Sequence, residues 1–208
     1  MIVNKKHKHL QVHVPKTGGT SLREMLLKNG WEGLSYHSTI SSLKNESEIY
    51  REYTKCVMIR NPWEHAVSHY GYLLSRQHFN IQDFQPNKKY KEISPDNVKK
   101  EEITFKGFIN LTYKRKLYQS LYTTELEDIG LKYDKWFDYA KFEDMLNYYE
   151  KNFNINIERN IRMQDKRKIN YVIDFDVDKP YQDYYDDDTY EVVKEVSKKE
   201  IEMFNYKF

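Results

Sequence analysis

A chain of 208 residues is long enough for one domain with its own core, and the reading from length is a single domain over residues 1–208. Its 34 Lys and Arg against 32 Asp and Glu leave a formal charge of +2, too little to attract a nucleic acid polymer over the whole surface, so any anion site must be local. No stretch approaches the ~18 consecutive apolar residues of a membrane span, and Met1 to Lys8 is too polar for a signal peptide, so a cytoplasmic protein without a membrane span is expected.

Leu10 to Val14 alternates Leu10, Val12 and Val14 with Gln11 and His13, the pattern of a strand that Pro15 ends. A glycine loop follows, and from Thr20 to Lys28 the apolar residues take helical spacing until Asn29-Gly30 stops them. Gly33 to Tyr36 reads as a short strand and Ser38 to Tyr53 as a polar helix or two. Lys55 to Ile59 is an unbroken apolar run of strand length, suited to burial on both faces. It contains Cys56, the one cysteine, which excludes an internal disulfide and reads as a small buried hydrophobe.

After Arg60, Asn61 reads as an N-cap with Pro62 at N1 and Glu64 at N3, so a helix is expected from Pro62 to Ser75. Gln77 to Glu102 lacks periodicity and reads as a long surface excursion. Thr104 caps a helix with an apolar stripe of Phe105, Phe108, Ile109 and Thr112. Further on come a strand at Trp136 to Lys141, a helix at Phe142 to Asn152 and a strand at Asn170 to Phe175. A closing helix follows, capped by Asp188 with Glu191 at N3, its apolar side carrying Val192, Val193, Val196, Ile201, Met203 and Phe204. Two strands each followed at once by a helix predict an α/β fold with a central parallel sheet flanked by helices, and ligands beyond the strands' carboxyl ends.

The segment Pro15-Lys16-Thr17-Gly18-Gly19-Thr20-Ser21 joins the first such strand to its helix. Glycines let the backbone approach an anion, and the amides and dipole at a helix start favour negative charge. Lys16 adds a point charge, and the hydroxyls of Thr17, Thr20 and Ser21 can donate to phosphate oxygens. Lys16 precedes the glycines and no Gly-Lys-Ser/Thr triplet opens the helix, which is not the loop of ATP-binding P-loop proteins.

The phrase from His13 to Leu22 resembles the 5'-phosphosulfate loop of the sulfotransferase superfamily, in the form found in its carbohydrate branch. A second segment, Val57 to Tyr70, is similar to that family's 3'-phosphate motif, an Arg-Asn-Pro followed by a Ser eight positions after the Arg: here Arg60, Asn61, Pro62 and Ser68. Where members of the family often carry Arg, this chain has His65. The ending from Tyr181 to Asp188 and the helix after it look like the family's closing segment.

The resemblance implies a P-loop-like three-layer fold and a donor, 3'-phosphoadenosine-5'-phosphosulfate (PAPS), that leaves as 3',5'-ADP. Lys16, Thr17, Gly18, Gly19, Thr20 and Ser21 would hold its 5' end; Arg60 and Ser68 would hold its 3'-phosphate. It implies in-line transfer of a sulfuryl group to an acceptor hydroxyl on a carbohydrate. Lys16 is then the catalytic cation at the leaving oxygen, and no metal is required. A base must take the hydroxyl proton, and His37 is the candidate, in the position where related carbohydrate enzymes place one; His13 is the outside candidate. Two other readings stay open: a P-loop nucleotide kinase or hydrolase, and a non-catalytic glycan- or protein-binding module on the same fold.

Overall fold

The computed structural model describes residues 1–34, 47–75, 104–113, 133–159 and 175–208. His37, the Gln77–Glu102 excursion and the expected strand at 170–174 lie outside them. The chain forms two compact units, one from Met1–Arg60 and Leu121–Met163, the other from Asn61–Ser120 and Gln164–Phe208. The described residues build two apolar clusters, one inside each unit. Each unit takes segments distant in sequence, so neither is a simple N-terminal or C-terminal half.

The first unit is α/β. Its strands are β1 (Ile2–Asn4), β2 (His9–Val12), β3 (Glu32–Gly33), β4 (Thr54–Ile59) and β5 (Lys135–Asp138), in the order β3-β1-β2-β4-β5. The helices are α1 (Gly19–Lys28), α2 (Ser47–Tyr50) and, after a 3-10 turn at Tyr139–Lys141, α5 (Phe142–Phe153). The strands β2, β4 and β5 run parallel, with Val12 opposite Val57 and Ile59 opposite Asp138.

The expected all-parallel sheet is corrected at its other side, where β1 pairs antiparallel with both β2 and β3. The cause is local. Only the turn Lys5 to Lys8 links β1 to β2, far too short for the crossover that a parallel pair needs. Lys8 closes that turn at φ 48°, its amide donating to the Lys5 carbonyl at 3.3 Å. With three residues, β1 is too short to show a periodicity in the sequence.

Leu22, Met25 and Leu26 of α1 and Met145, Leu146 and Tyr149 of α5 share one cluster with Cys56 and Met58 of β4 and Phe137 of β5. Alternate residues Val57 and Ile59, on the opposite face of β4, are buried as well. So is all of β2, including the polar His9 and Gln11, and the hydroxyl of Tyr149 donates to Gln11 Oε1. Alternation in β2 therefore does not mark an open face. The expected strand at 136–141 ends at Asp138, whose side chain accepts from the Ala140 amide at 2.9 Å and turns the chain into the 3-10 segment.

The second unit holds the helices α3 (Pro62–Leu74), α4 (Phe105–Thr112), α6 (Asp187–Val196) and α7 (Lys198–Phe204), with a 3-10 segment at Tyr181–Tyr184. Asn61 caps α3 as predicted, Oδ1 accepting from the Trp63 amide at 3.1 Å. Thr104 caps α4, accepting from Gly107 at 3.0 Å. Trp63 stacks flat on Tyr190, 5.4 Å between centroids, and the Tyr185 hydroxyl donates to the Trp63 carbonyl at 2.9 Å.

The cap of the closing helix is Asp186, two residues before the expected Asp188. Asp186 Oδ1 accepts from the Thr189 amide at 2.8 Å while Thr189 Oγ1 accepts from the Asp186 amide at 3.0 Å. The Asp188 carboxylate instead takes the Lys106 ammonium at 2.8 Å. The expected single helix is broken at Ser197, and Met203 on α7 is 54% exposed instead of lying on the apolar side. No described helix is long and apolar enough to cross a membrane.

Candidate anion site at the carboxyl ends of the parallel strands

Three parallel strands deliver three chain segments to one end of the sheet: the loop 13–18 after β2, Arg60 after β4 and Tyr139 after β5. Open α/β sheets bind ligands at this end. The loop departs from ordinary backbone at two positions, Lys16 at φ 66° and Gly18 at φ 80°. Gly18 tolerates the left-handed region; Lys16 does so at a cost of about 1 kcal/mol. Strain of this kind persists only where surrounding contacts hold it, and it gathers at ligand sites.

Those contacts are present. Thr17 is fully buried and its hydroxyl donates to the Val14 carbonyl at 2.9 Å, tying the turn to the strand it leaves. Arg60 is buried, and its Nη1 donates to the Lys16 carbonyl at 2.9 Å. That bond clamps the left-handed residue from the neighbouring strand. The Arg60 guanidinium also lies over the Tyr139 ring, 4.3 Å from its centroid.

Gly18 is the N-cap of α1, and no side chain caps this helix. The Leu22 amide is the one that reaches back to the Gly18 carbonyl, at 3.2 Å, so the amides of Gly19, Thr20 and Ser21 have no acceptor within the helix. They give the helix start a partial positive charge, flanked by half-buried Lys16 and exposed Thr20. The requirement for glycine at 19 is steric. A Cβ there would lie 2.1 Å from Cδ2 of His13, whose ring is buried directly beneath the loop.

The structure brings Lys16, Thr17, Gly18, Gly19, Thr20, Ser21 and Arg60 together in the first unit, with the Thr17 hydroxyl turned inward on its own loop and Ser21 buried. Ser68 is half-buried on α3, in the second unit, and His37 lies outside the described residues. His13 packs as a support under Gly19. His65 is buried on α3 with its ring 6.5 Å from that of His69.

Sequence reading missed Tyr139 and Phe142. A Cβ on Gly18 would stand 3.0 Å from Cε2 of Tyr139 and 3.3 Å from Cε2 of Phe142. The available signal was position: Tyr139 follows the end of a parallel strand, where ligand-site residues collect. Comparison of the chain with family models, with curated proteins and with solved structures gives no match in any of the three.

Proposed function

We propose that this chain is a sulfotransferase that moves a sulfuryl group from PAPS to an acceptor hydroxyl on a carbohydrate, on a three-layer P-loop-like fold. The observation that supports the reading is the bond from Arg60 Nη1 to the Lys16 carbonyl at 2.9 Å, which ties the residue expected at the 3'-phosphate to the loop expected at the 5'-phosphate. A helix start whose first amides have no acceptor within the helix, a lysine before it and an arginine beside it suit a ligand with a 5'-phosphosulfate and a separate 3'-phosphate. Burial of both faces of β4 supports the layered fold.

In this reading the loop amides bind the 5'-phosphate and Arg60 takes the 3'-phosphate through its planar fork. The acceptor oxygen attacks sulfur in line, the bond from sulfur to the bridging 5'-phosphate oxygen breaks, and 3',5'-ADP departs. Charge grows on that bridging oxygen, and the Lys16 ammonium neutralises it where bulk water would do so poorly. The acceptor proton passes to His37. Positioning and electrostatics supply the rate, and no step calls for a metal.

The test is nucleotide binding followed by turnover. The chain should bind 3',5'-ADP without magnesium and much more tightly than 5'-AMP. Lys16→Ala should lower turnover by about a hundredfold or more with labelled donor and desulfated glycans, while 3',5'-ADP binding falls far less. Absence of 3',5'-ADP binding, or a requirement for magnesium and ATP, would sink the reading.

A further inference from the structure

Residues 205–208 leave α7 by a sharp turn. Asn205 takes φ 53°, and its amide and that of Tyr206 both donate to the Ile201 carbonyl, the latter at 3.1 Å. A left-handed residue at this position ends a helix and turns the chain back. Lys207 and Phe208 are thereby brought to Asn61 and Trp63 at the start of α3, within the same unit.

Asn61 uses its amide in two directions. Its Oδ1 accepts from the Trp63 amide at 3.1 Å, while its Nδ2 donates to the Lys207 carbonyl at 2.7 Å and to the Tyr181 hydroxyl at 3.4 Å. A backbone N–H on one side and a backbone carbonyl on the other fix which end of the amide points where, so the rotamer that caps α3 is also the one that holds Lys207. Aspartate caps a helix as well as asparagine does, but its second oxygen would face the Lys207 carbonyl with no proton to give. Capping alone therefore does not account for asparagine at 61, whereas the bond to Lys207 does.

Phe208 supplies the apolar half of the contact. Its ring lies 4.9 Å from that of Tyr190, 5.4 Å from Tyr185, 5.5 Å from Trp63 and 5.8 Å from Tyr181, centroid to centroid, edge-on to each. Aromatic pairs favour this geometry. The ring is nevertheless 43% exposed and Lys207 is exposed, so the segment lies on an aromatic seat and not in the core. A segment held by one hydrogen bond open to water and one partly covered ring is of the kind that opens locally while the helix beneath it stays folded.

We propose that residues 205–208 form a strap that closes over the start of α3 and opens without unfolding it, with Asn61 as its latch and Phe208 as its anchor. Trp63, only 2% exposed with the strap closed, loses part of its cover when the strap opens. The strap and its seat lie within the second unit, and closure requires no nucleotide.

Nuclear magnetic resonance on the full chain, labelled with nitrogen-15, tests this through backbone order parameters. In the wild type Lys207 and Phe208 should lie near the rigid value of about 0.85. Asn61→Asp, which keeps the cap and removes the latch, should lower both below about 0.6 while the chemical shifts of residues 62–74 stay helical. Phe208→Ala leaves Asn61 in place and is the second variant if Asn61→Asp fails to fold. It should loosen Lys207 to the same degree and speed exchange of the Asn61 side-chain amide protons about tenfold. Phe208→Tyr, which keeps a ring on the seat, should restore the wild-type values. Order parameters below about 0.6 at Lys207 and Phe208 in the wild type would overturn the strap. So would a folded Asn61→Asp or Phe208→Ala protein in which Lys207 stays as ordered as in the wild type, or one in which α3 loses its helical shifts.

Discussion

Gly19→Ala sets two known effects against each other at one atom. Alanine is the better helix former, worth about 1 kcal/mol over glycine in a helix interior and less at the first turn, where Gly19 sits. Against it stands His13. The added methyl would lie 2.1, 2.5 and 2.9 Å from three atoms of a ring that is only 5% exposed. Overpacking a buried site costs about 1 to 3 kcal/mol, so the clash outweighs the propensity gain.

The net expectation is a loss of about 1 to 2 kcal/mol, seen as a melting temperature lower by roughly 3 to 6 °C for a chain of this size. Relief by moving His13 would tilt the first turn of α1, so 3',5'-ADP affinity should fall about tenfold as well. Adding His13→Ala removes the obstructing ring. The double variant should then be more stable than the sum of the two single effects by about 1 kcal/mol or more. Differential scanning calorimetry and nucleotide titration read both quantities. A Gly19→Ala protein that melts at or above the wild type would refute the steric argument, and additive effects would show that His13 does not brace Gly19.

Two buried ionisable groups give opposite pH slopes. Glu200 is 3% exposed on α7, and burial pushes its carboxyl up to about 7, so the stability it permits when neutral is lost as pH rises from the ordinary carboxyl range through 7. Glu200→Gln should therefore be more stable than the wild type by about 2 kcal/mol at pH 8 and near parity at pH 4.5, as measured by denaturant melts at the two values. His9 is buried against Cys56 Sγ at 3.1 Å and the rings of Trp31 and Phe153, and burial pushes its imidazole down to about 4. Its cost is absent above pH 6.5 and grows as pH falls towards 4. His9→Gln should consequently flatten the acid limb of the stability profile, and an acid limb unchanged by that substitution would remove His9 as its origin.

Local signals fixed much of this protein from the sequence alone. The strand of Lys55 to Ile59, the helix opened by Asn61 and Pro62, the cap at Thr104 and the helix from Phe142 are each set by neighbours within a few residues, and all are found with little change. The strand, loop and helix order around residues 15–21 was legible for the same reason, since Pro15 and the glycines interrupt two periodic segments. Tertiary packing alone decided the rest. Whether β1 pairs antiparallel depends on a partner strand, and whether Gln11 faces water depends on α5, more than 130 residues away in sequence. The bond from Arg60 to Lys16 and the contact of Arg60 with the ring of Tyr139 join residues 44 and 79 positions apart. No periodicity encodes such a pairing, because it arises from strand register and not from local propensity.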